Sequence, residues 1–447
     1  MAMSEERENQ MVYAVSRYTA IIVPLVEAGV VGYATWVLTD LLCIQYLLHP
    51  SEGLQDIGIR PRKAPAIVIL TLYFLILLIM MAAYFRLVQI IWSNPGLIPI
   101  GSKEKEEELD RYFERHEAFI CDYQGKPRFC EKCNNYKPDR THHCSQIGRC
   151  VRRMDHFCPW VGGIVSETSH KFFLQFLFYG FLYWSYVTVV FGYYSAERQR
   201  KFRALPATWI VTLALSGIFL LFVFGMLSTT AYQAFGNYTT VEALDRKYQV
   251  YHIALRPDPY SNRLQARFSD QQPQLPESTV SSNRPHKATE LTPPAHKPML
   301  SESTTISSGP TSTPISSDQS IQGSTSQYII CQTQPGENPW DLGTRENWKH
   351  LMGEHWWDWF LPLKFSPHTR HDQEEGHYQW GPVVDRLRRE NGLGRRRRHR
   401  KDSRREIGHE GGYGEESFYG SKHGRGSRQG GSDGGGTTGR VMEGSQI

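Results

Sequence analysis

Four long apolar stretches decide what this chain can fold into. They run from about Tyr18 to Leu48, Pro65 to Trp92, Phe172 to about Tyr194, and Trp209 to Phe235. Crossing the hydrocarbon of a bilayer takes roughly 20 residues of helix. Inside it every backbone polar group must find a partner within the segment, which a helix provides. The stretches therefore predict four transmembrane helices. Glu27 and Asp40 interrupt the first. Asp40 fits near a helix end, whereas Glu27 has to face the bundle interior. The second stretch stops at Asn94-Pro95-Gly96, where proline and glycine end a helix. The mean hydropathy of the whole chain is negative only because long polar segments dilute these stretches.

Orientation follows the positively charged flanks. Residues 93–171 carry Lys132, Lys137, Arg140, Arg149, Arg152 and Arg153. That segment is expected in the cytosol, together with both termini. Arg198, Arg200, Lys201 and Arg203 between the last two stretches point the other way, but more weakly. The first ten residues resemble no signal peptide. Ala2 rules out myristoylation and no retention signal is visible, so the particular compartment, endomembrane or plasma membrane, stays open.

The expected organisation is a cytosolic N-terminus (1–17), spans 1 and 2 (18–92), a cysteine-rich domain (93–171), spans 3 and 4 (172–235) and a short segment (236–255). An insertion (256–335), an aromatic motif (336–365) and a tail (366–447) follow. The insertion is rich in Ser, Thr, Pro and Gln, too polar to offset its ordering entropy, and is expected to be disordered. The aromatic motif crowds Trp340, Trp348, Trp356, Trp357, Trp359 and Phe360, which suggests an interfacial helix. The tail is Gly- and Arg-rich. Its Arg395–Arg398 run could meet anionic lipid or nucleic acid, but a solvated tail is the plainer reading and no nucleic-acid partner is expected.

Six of the eight cysteines fall between Cys121 and Cys158. In a reducing compartment such clustering reads as metal binding and catalysis rather than disulfides. Cys130 and Cys133 form a C-x2-C pair, and His143 and Cys150 follow at distances that complete a tetrahedral Cys3His site suited to zinc. The plain alternative, buried free thiols, fits poorly with the Arg, Pro and polar residues between them.

Next comes Asp155-His156-Phe157-Cys158-Pro159-Trp160. A cysteine attacks as its thiolate. His156 could take the proton and Asp155 could fix the His156 tautomer, as in hydrolase triads. On spacing alone, a further set of metal ligands is as good a reading. Position adds to the case, because Phe172 opens a span soon after Cys158. A nucleophile at the membrane surface can hold a fatty chain in the bilayer. Burying a 16-carbon chain at about 0.8 kcal/mol per methylene yields roughly 12 kcal/mol.

Taken together these residues resemble the DHHC family of protein S-acyltransferases. Cys130-x2-Cys133, Lys137-Pro138-x-Arg140, His143-Cys144, Cys150, Met154 to Val161 and Phe172-Phe173 stand in that family's order. Asn94-Pro95-Gly96 is similar to its Asp-Pro-Gly motif, Thr239-Thr240-Val241-Glu242 to its TTxE motif, and Asn338 to Gly343 with Asn347-Trp348 to its C-terminal aromatic and Asn motif. The plan resembles that of a fungal member. The resemblance implies an α-helical polytopic membrane protein. Its four-helix transmembrane bundle would carry a small cytosolic zinc-binding cysteine-rich domain. It further implies that Cys158 is the acylated nucleophile, with His156 its base and Asp155 the orienter, and that Thr240 braces Asp155. Palmitoyl-CoA is then the acyl donor, and proteins bearing cysteines at the membrane's cytosolic face are the acceptors.

Several positions depart from the family's pattern. Phe157 replaces the second histidine, giving a DHFC variant. Ile147 and Ile164 stand where the family has cysteines, Gly162-Gly163 where it has Asn-Asn, and Ser169 where it has asparagine. The resemblance implies two zinc sites in the family. One uses the positions of Cys130, Cys133, His143 and Cys150, which survive. The other uses those of Cys144, Ile147, Phe157 and Ile164, three of which are now apolar. One zinc ion is expected, with the three apolar residues packed together and Cys144 as a neutral buried thiol. The competing function is a membrane-anchored zinc-binding scaffold without catalysis. The intact Asp155-His156-x-Cys158 set argues against it. A RING-type ligase needs eight metal ligands and lacks about half of them.

Overall fold

The computed structural model describes residues 2–56, 58–101, 116–257, 328–369 and 378–393. The Arg395–Arg398 run and most of the expected insertion lie outside the described residues. Four described helices are long and apolar enough to cross a membrane. They are α1 (Ala2–Trp36), which widens into π-helical turns over Val37–Leu48, α2 (Lys63–Ser93), α3 (His170–Phe202) and α4 (Ala207–Gly236). Helix α3 packs between α2 and α4. Their shared core includes Leu38, Tyr73, Leu87, Tyr183, Trp184 and Trp209.

Helix α3 continues past the expected end near Tyr194 to Phe202, so Arg198, Arg200 and Lys201 ride its last turns. Glu197 explains how these charges are accommodated. It pairs with Arg62 at 2.9 Å and with Lys201 at 3.0 Å, while the Arg198 guanidinium lies over the Tyr46, Phe202 and Trp209 rings.

Between α2 and α3 the chain forms short antiparallel ribbons. Strand β1 is Ala118–Cys121. The ribbons are β2 (Phe129–Cys130) with β3 (Asn135–Tyr136), β4 (His142–Cys144) with β5 (Arg149–Val151), and β6 (His156–Cys158) with β7 (Gly163–Val165). Strands this short need something besides their own ladders to hold them. The stretch after α2 supplies part of it: Arg152 N donates to Gly96 O and Ile98 N to Cys150 O. Gly96 itself has a left-handed φ of 71°. The β6–β7 ribbon ends against the helices. A Cβ on Gly163 would meet Ile91 Cγ2 at 2.4 Å, and one on Gly162 would meet the Ala20 carbonyl at 3.0 Å with φ at +69°. Only glycine fits Gly163 without displacing the Ile91 side chain of α2.

After α4, α5 (Thr240–Leu244) leads to β8 (His252–Leu255). Strand β8 sits at the centre of a sheet ordered β1-β8-β9, with β9 at Ile329–Gln332. Thus Ile329–Gln332, expected within the disordered insertion, is a strand paired to β8, with Leu255 opposite Ile329. Helices α6 (Thr344–Met352), α7 (Trp356–Phe360) and α8 (Pro382–Glu390) complete the described chain. Helix α8 lies in the region expected to be a structureless tail. Val384 and Leu387 bury one face of it against Trp340, Ile253 and Tyr378.

The tryptophans divide. Trp340 is buried against Tyr251 and Trp380, and Trp348 stacks on Phe235. Trp356, Trp357 and Phe360 on α7 are exposed. The backbone of that segment is fastened to α3: Gln175 Nε2 donates to the carbonyls of Asp358, Trp359 and Leu361, and Tyr179 Oη to that of Phe360.

Candidate active site

The ribbons bring Cys130, Cys133, His143 and Cys150 together, with their ligand atoms all within 4.8 Å of one another. His143 presents Nδ1 to the three sulfurs at 3.6, 3.3 and 3.9 Å. Tetrahedral zinc, with Zn–S about 2.3 Å and Zn–N about 2.0 Å, separates its sulfur and nitrogen ligands by roughly 3.5 Å. The donor set and spacing therefore fit a metal ion.

The neighbouring positions do something else. Phe157 and Ile164 face each other across the β6–β7 ribbon. They pack with Ile147, Met154, Val151 and Cys144 into one apolar cluster. The Cys144 thiol donates to Gln146 Oε1 at 3.1 Å, and burial pushes its pKa up. An apolar cluster with a thiol that keeps its proton offers no ligand set for a second ion.

Asp155, His156 and Cys158 follow on β6 and just before it. His156 Nδ1 meets Asp155 Oδ2 at 2.5 Å. Asp155 is buried and also accepts from Thr240 N at 2.8 Å and Thr240 Oγ1 at 3.1 Å. Burial alone would push this carboxyl up. The imidazoles of His170 and His156 and the Thr240 N–H outweigh it and hold the carboxylate well below the usual range. For His156 burial acts against the charged ring, but the bond to Asp155 and the adjacent Cys158 sulfur raise it to about 10. With Nδ1 committed to Asp155, Nε2 is buried with no hydrogen-bond partner. It is the nitrogen left to exchange a proton. The ring edge rests on Phe173, centroids 5.3 Å apart.

Cys158 is buried and lines a cavity shared by all four spanning helices. Val31, Met80, Phe176 and Phe222 represent α1 to α4, and Trp160 flanks the thiol. Apart from Cys158 and Glu27 the lining side chains are apolar or aromatic.

What positions Asp155 and Thr240 was less visible in the sequence. Thr239 caps α5, accepting from Glu242 N, while the Glu242 carboxylate reaches back to Thr239 N. This reciprocal cap was legible as a Thr-x-x-Glu pattern. Glu242 also takes a bidentate pair from Arg140, Nε at 2.8 Å and Nη2 at 2.6 Å. Arg140 in turn donates to Asn237 Oδ1 and Asn237 O and lies 4.8 Å over Trp340. Arg153 donates to Asn237 Oδ1 at 3.2 Å and, through Nη1, approaches His170 and His368. Burial pushes the His368 pKa well down, so its Nδ1 donates to His350 O and its Nε2 accepts from Arg153. Asn237, Arg153 and His368 come from three separate segments, and no local pattern announces their meeting.

Residues 123–247 match the family model described as DHHC palmitoyltransferase. The chain is 33% identical over 438 residues to palmitoyltransferase pfa5 of Aspergillus fumigatus, covering 85% of this chain and 90% of that protein. The chain belongs to the DHHC palmitoyltransferase family. Palmitoyltransferase pfa5 of Emericella nidulans is 32% identical over 88% of both chains. Probable protein S-acyltransferase 14 of Arabidopsis thaliana is 34% identical over 51% of this chain and 74% of its own. This DHHC protein is accordingly an enzyme, a protein S-palmitoyltransferase with a four-helix membrane bundle and a cysteine-rich domain.

Proposed function

We propose that the reaction runs through a thioester on Cys158. The observation that carries this is the apolar cavity lined by the Cys158 thiol, two residues from a histidine held by a buried carboxylate. In the first step the Cys158 sulfur attacks the carbonyl of palmitoyl-CoA. With the His156 pKa raised to about 10, the Cys158 proton already rests on Nε2 and the sulfur attacks as a thiolate; the bond from carbonyl to CoA sulfur breaks, and the departing CoA thiolate takes the proton from Nε2. In the second step the thiol of a substrate cysteine gives its proton to the same nitrogen and attacks the thioester. The acyl group moves to the substrate, and the Cys158 sulfur departs as a thiolate beside the protonated His156. Asp155 keeps His156 in the tautomer that leaves Nε2 free, and Thr240 fixes Asp155.

Cys130, Cys133, His143 and Cys150 would hold one zinc ion, which ties the β2–β3 and β4–β5 ribbons together and takes no part in the transfer. The apolar packing of Ile147, Phe157 and Ile164 supports a single ion. The 93–171 segment would face the cytosol, where acyl-CoA and thiol substrates are found. Its basic residues support that orientation, and Glu197 lessens the opposing charge near the end of α3.

Purified wild type and Cys158→Ser, incubated with a clickable palmitoyl-CoA analogue, test the thioester. Hydroxylamine-sensitive label on wild type alone is expected. Equal label on both proteins, or label that resists hydroxylamine, would overturn the reading. Metal analysis should find a zinc-to-protein ratio near one that collapses in Cys130→Ala. A ratio near two would exclude the single-ion arrangement.

A further inference from the structure

The cavity at Cys158 holds one group that a saturated fatty chain cannot satisfy. Glu27, on α1, lines it, and the Glu27 Oε2 atom is buried with no hydrogen-bond partner. No Lys, Arg or His side chain is among the lining residues, so no cation in the cavity accounts for the carboxyl. An ionisable residue at this depth in a span is costly and needs a reason.

Its height along the cavity can be placed. The Ala20 carbonyl abuts Gly162, immediately after the turn Pro159–Val161 that follows Cys158. Glu27 is seven residues further along α1, about 10 Å of helix at 1.5 Å per residue. It therefore lies beside the part of an acyl chain nearer the thioester, beyond the carbonyl itself. Trp184 and Phe219, which stack with centroids 4.9 Å apart, also line the cavity, and the Trp184 indole N–H does not reach the unpaired Glu27 oxygen.

We propose that Glu27 makes this cavity select acyl groups bearing a hydroxyl in the half of the chain nearest the thioester. This rests on the reading of Cys158 as the acyl carrier. A hydroxyl both donates and accepts, so it satisfies a carboxyl in either protonation state. Methylenes leave the carboxyl oxygen unpaired. An unmade buried hydrogen bond corresponds to a discrimination of about tenfold, the equivalent of about 1.4 kcal/mol. A site built to hydrogen-bond a substrate group rejects the analogue that lacks it.

The test is a competition on the full-length protein in detergent. Palmitoyl-CoA and a hydroxypalmitoyl-CoA substituted in the carboxyl-proximal half are supplied together. Mass spectrometry of the Cys158 peptide distinguishes the adducts by one oxygen. Wild type should favour the hydroxylated chain about tenfold. Glu27→Leu should load palmitate faster and lose the preference, and Glu27→Gln, which keeps hydrogen-bonding atoms, should retain most of it. A preference unchanged between wild type and Glu27→Leu, or none in wild type, would overturn the role of Glu27 while leaving the Cys158 reading intact. No adduct on Cys158 from either donor would overturn both.

Discussion

Asp155→Asn changes one atom and should remove most of the activity. The Asp155 carboxylate accepts three hydrogen bonds, from Thr240 N, Thr240 Oγ1 and His156 Nδ1. An asparagine carbonyl can replace Oδ1 and keep the Thr240 N–H. The amide NH2 then occupies the Oδ2 position, opposite His156 Nδ1 and Thr240 Oγ1. The hydroxyl can turn and accept. The imidazole can accept at Nδ1 only by moving its own proton to Nε2, and that blocks the nitrogen needed for the Cys158 proton. The same exchange in a serine protease triad lowers turnover by about 10⁴. General-base catalysis itself contributes about 10² to 10⁴. Autoacylation by Asp155→Asn should therefore fall by about three orders of magnitude, with zinc content unchanged. Single-turnover incorporation of labelled palmitoyl-CoA, quenched and tested for hydroxylamine sensitivity, measures it. A loss below about tenfold would refute the tautomer argument, because the substituted geometry leaves Nε2 no other way to accept.

Three further outcomes follow from the same geometry. Glu242→Gln leaves the fully buried Arg140 without its charge partner, and breaking such a pair costs about 3–5 kcal/mol; denaturant or thermal melts in detergent should show the loss. Excising residues 258–327 and closing the gap with a short Gly-Ser turn should leave autoacylation within about twofold, since Leu255 and Ile329 already face each other and a shorter loop lowers closure entropy; loss of labelling in a stably expressed deletion would contradict this. The His156 pKa is raised to about 10, so its pairing stabilises the fold fully below its unfolded value of about 6.5 and ceases to as pH climbs through about 10. The stability gap between wild type and His156→Phe should narrow over that window, whereas the depressed Asp155 carboxyl loses its contribution only in acid, below about pH 4.

The spans were legible because an apolar run longer than a bilayer's thickness has few other fates. The grouping of Asp155, His156 and Cys158 was legible because the three sit within four residues. The braces were not. Arg140 finds Glu242 and Asn237 across about a hundred residues, and only folding brings His368 to Arg153. Composition also misled at the C-terminal end. Residues 378–393 are polar on average, yet Pro382 opens a helix whose Val384 and Leu387 share one face and which ends before Gly392. The spacing signal was present beneath the average. Ile329–Gln332 was hidden for a different reason: an edge strand takes its partner from the other end of an insertion, and a single sequence does not reveal which end pairs with which.

The cluster of Cys144, Ile147, Phe157 and Ile164 holds the ribbons nearest the reacting thiol together by contacts that a chelator cannot strip. Burial keeps the Cys144 thiol protonated, and peroxide attacks thiolates far more readily than protonated thiols or hydrocarbon, so this cluster itself offers oxidants little. Withdrawal of a metal ion would strain the Cys130–Cys150 side first. The ribbon that carries Cys158 would keep its shape on the strength of hydrocarbon packing, independent of metal supply.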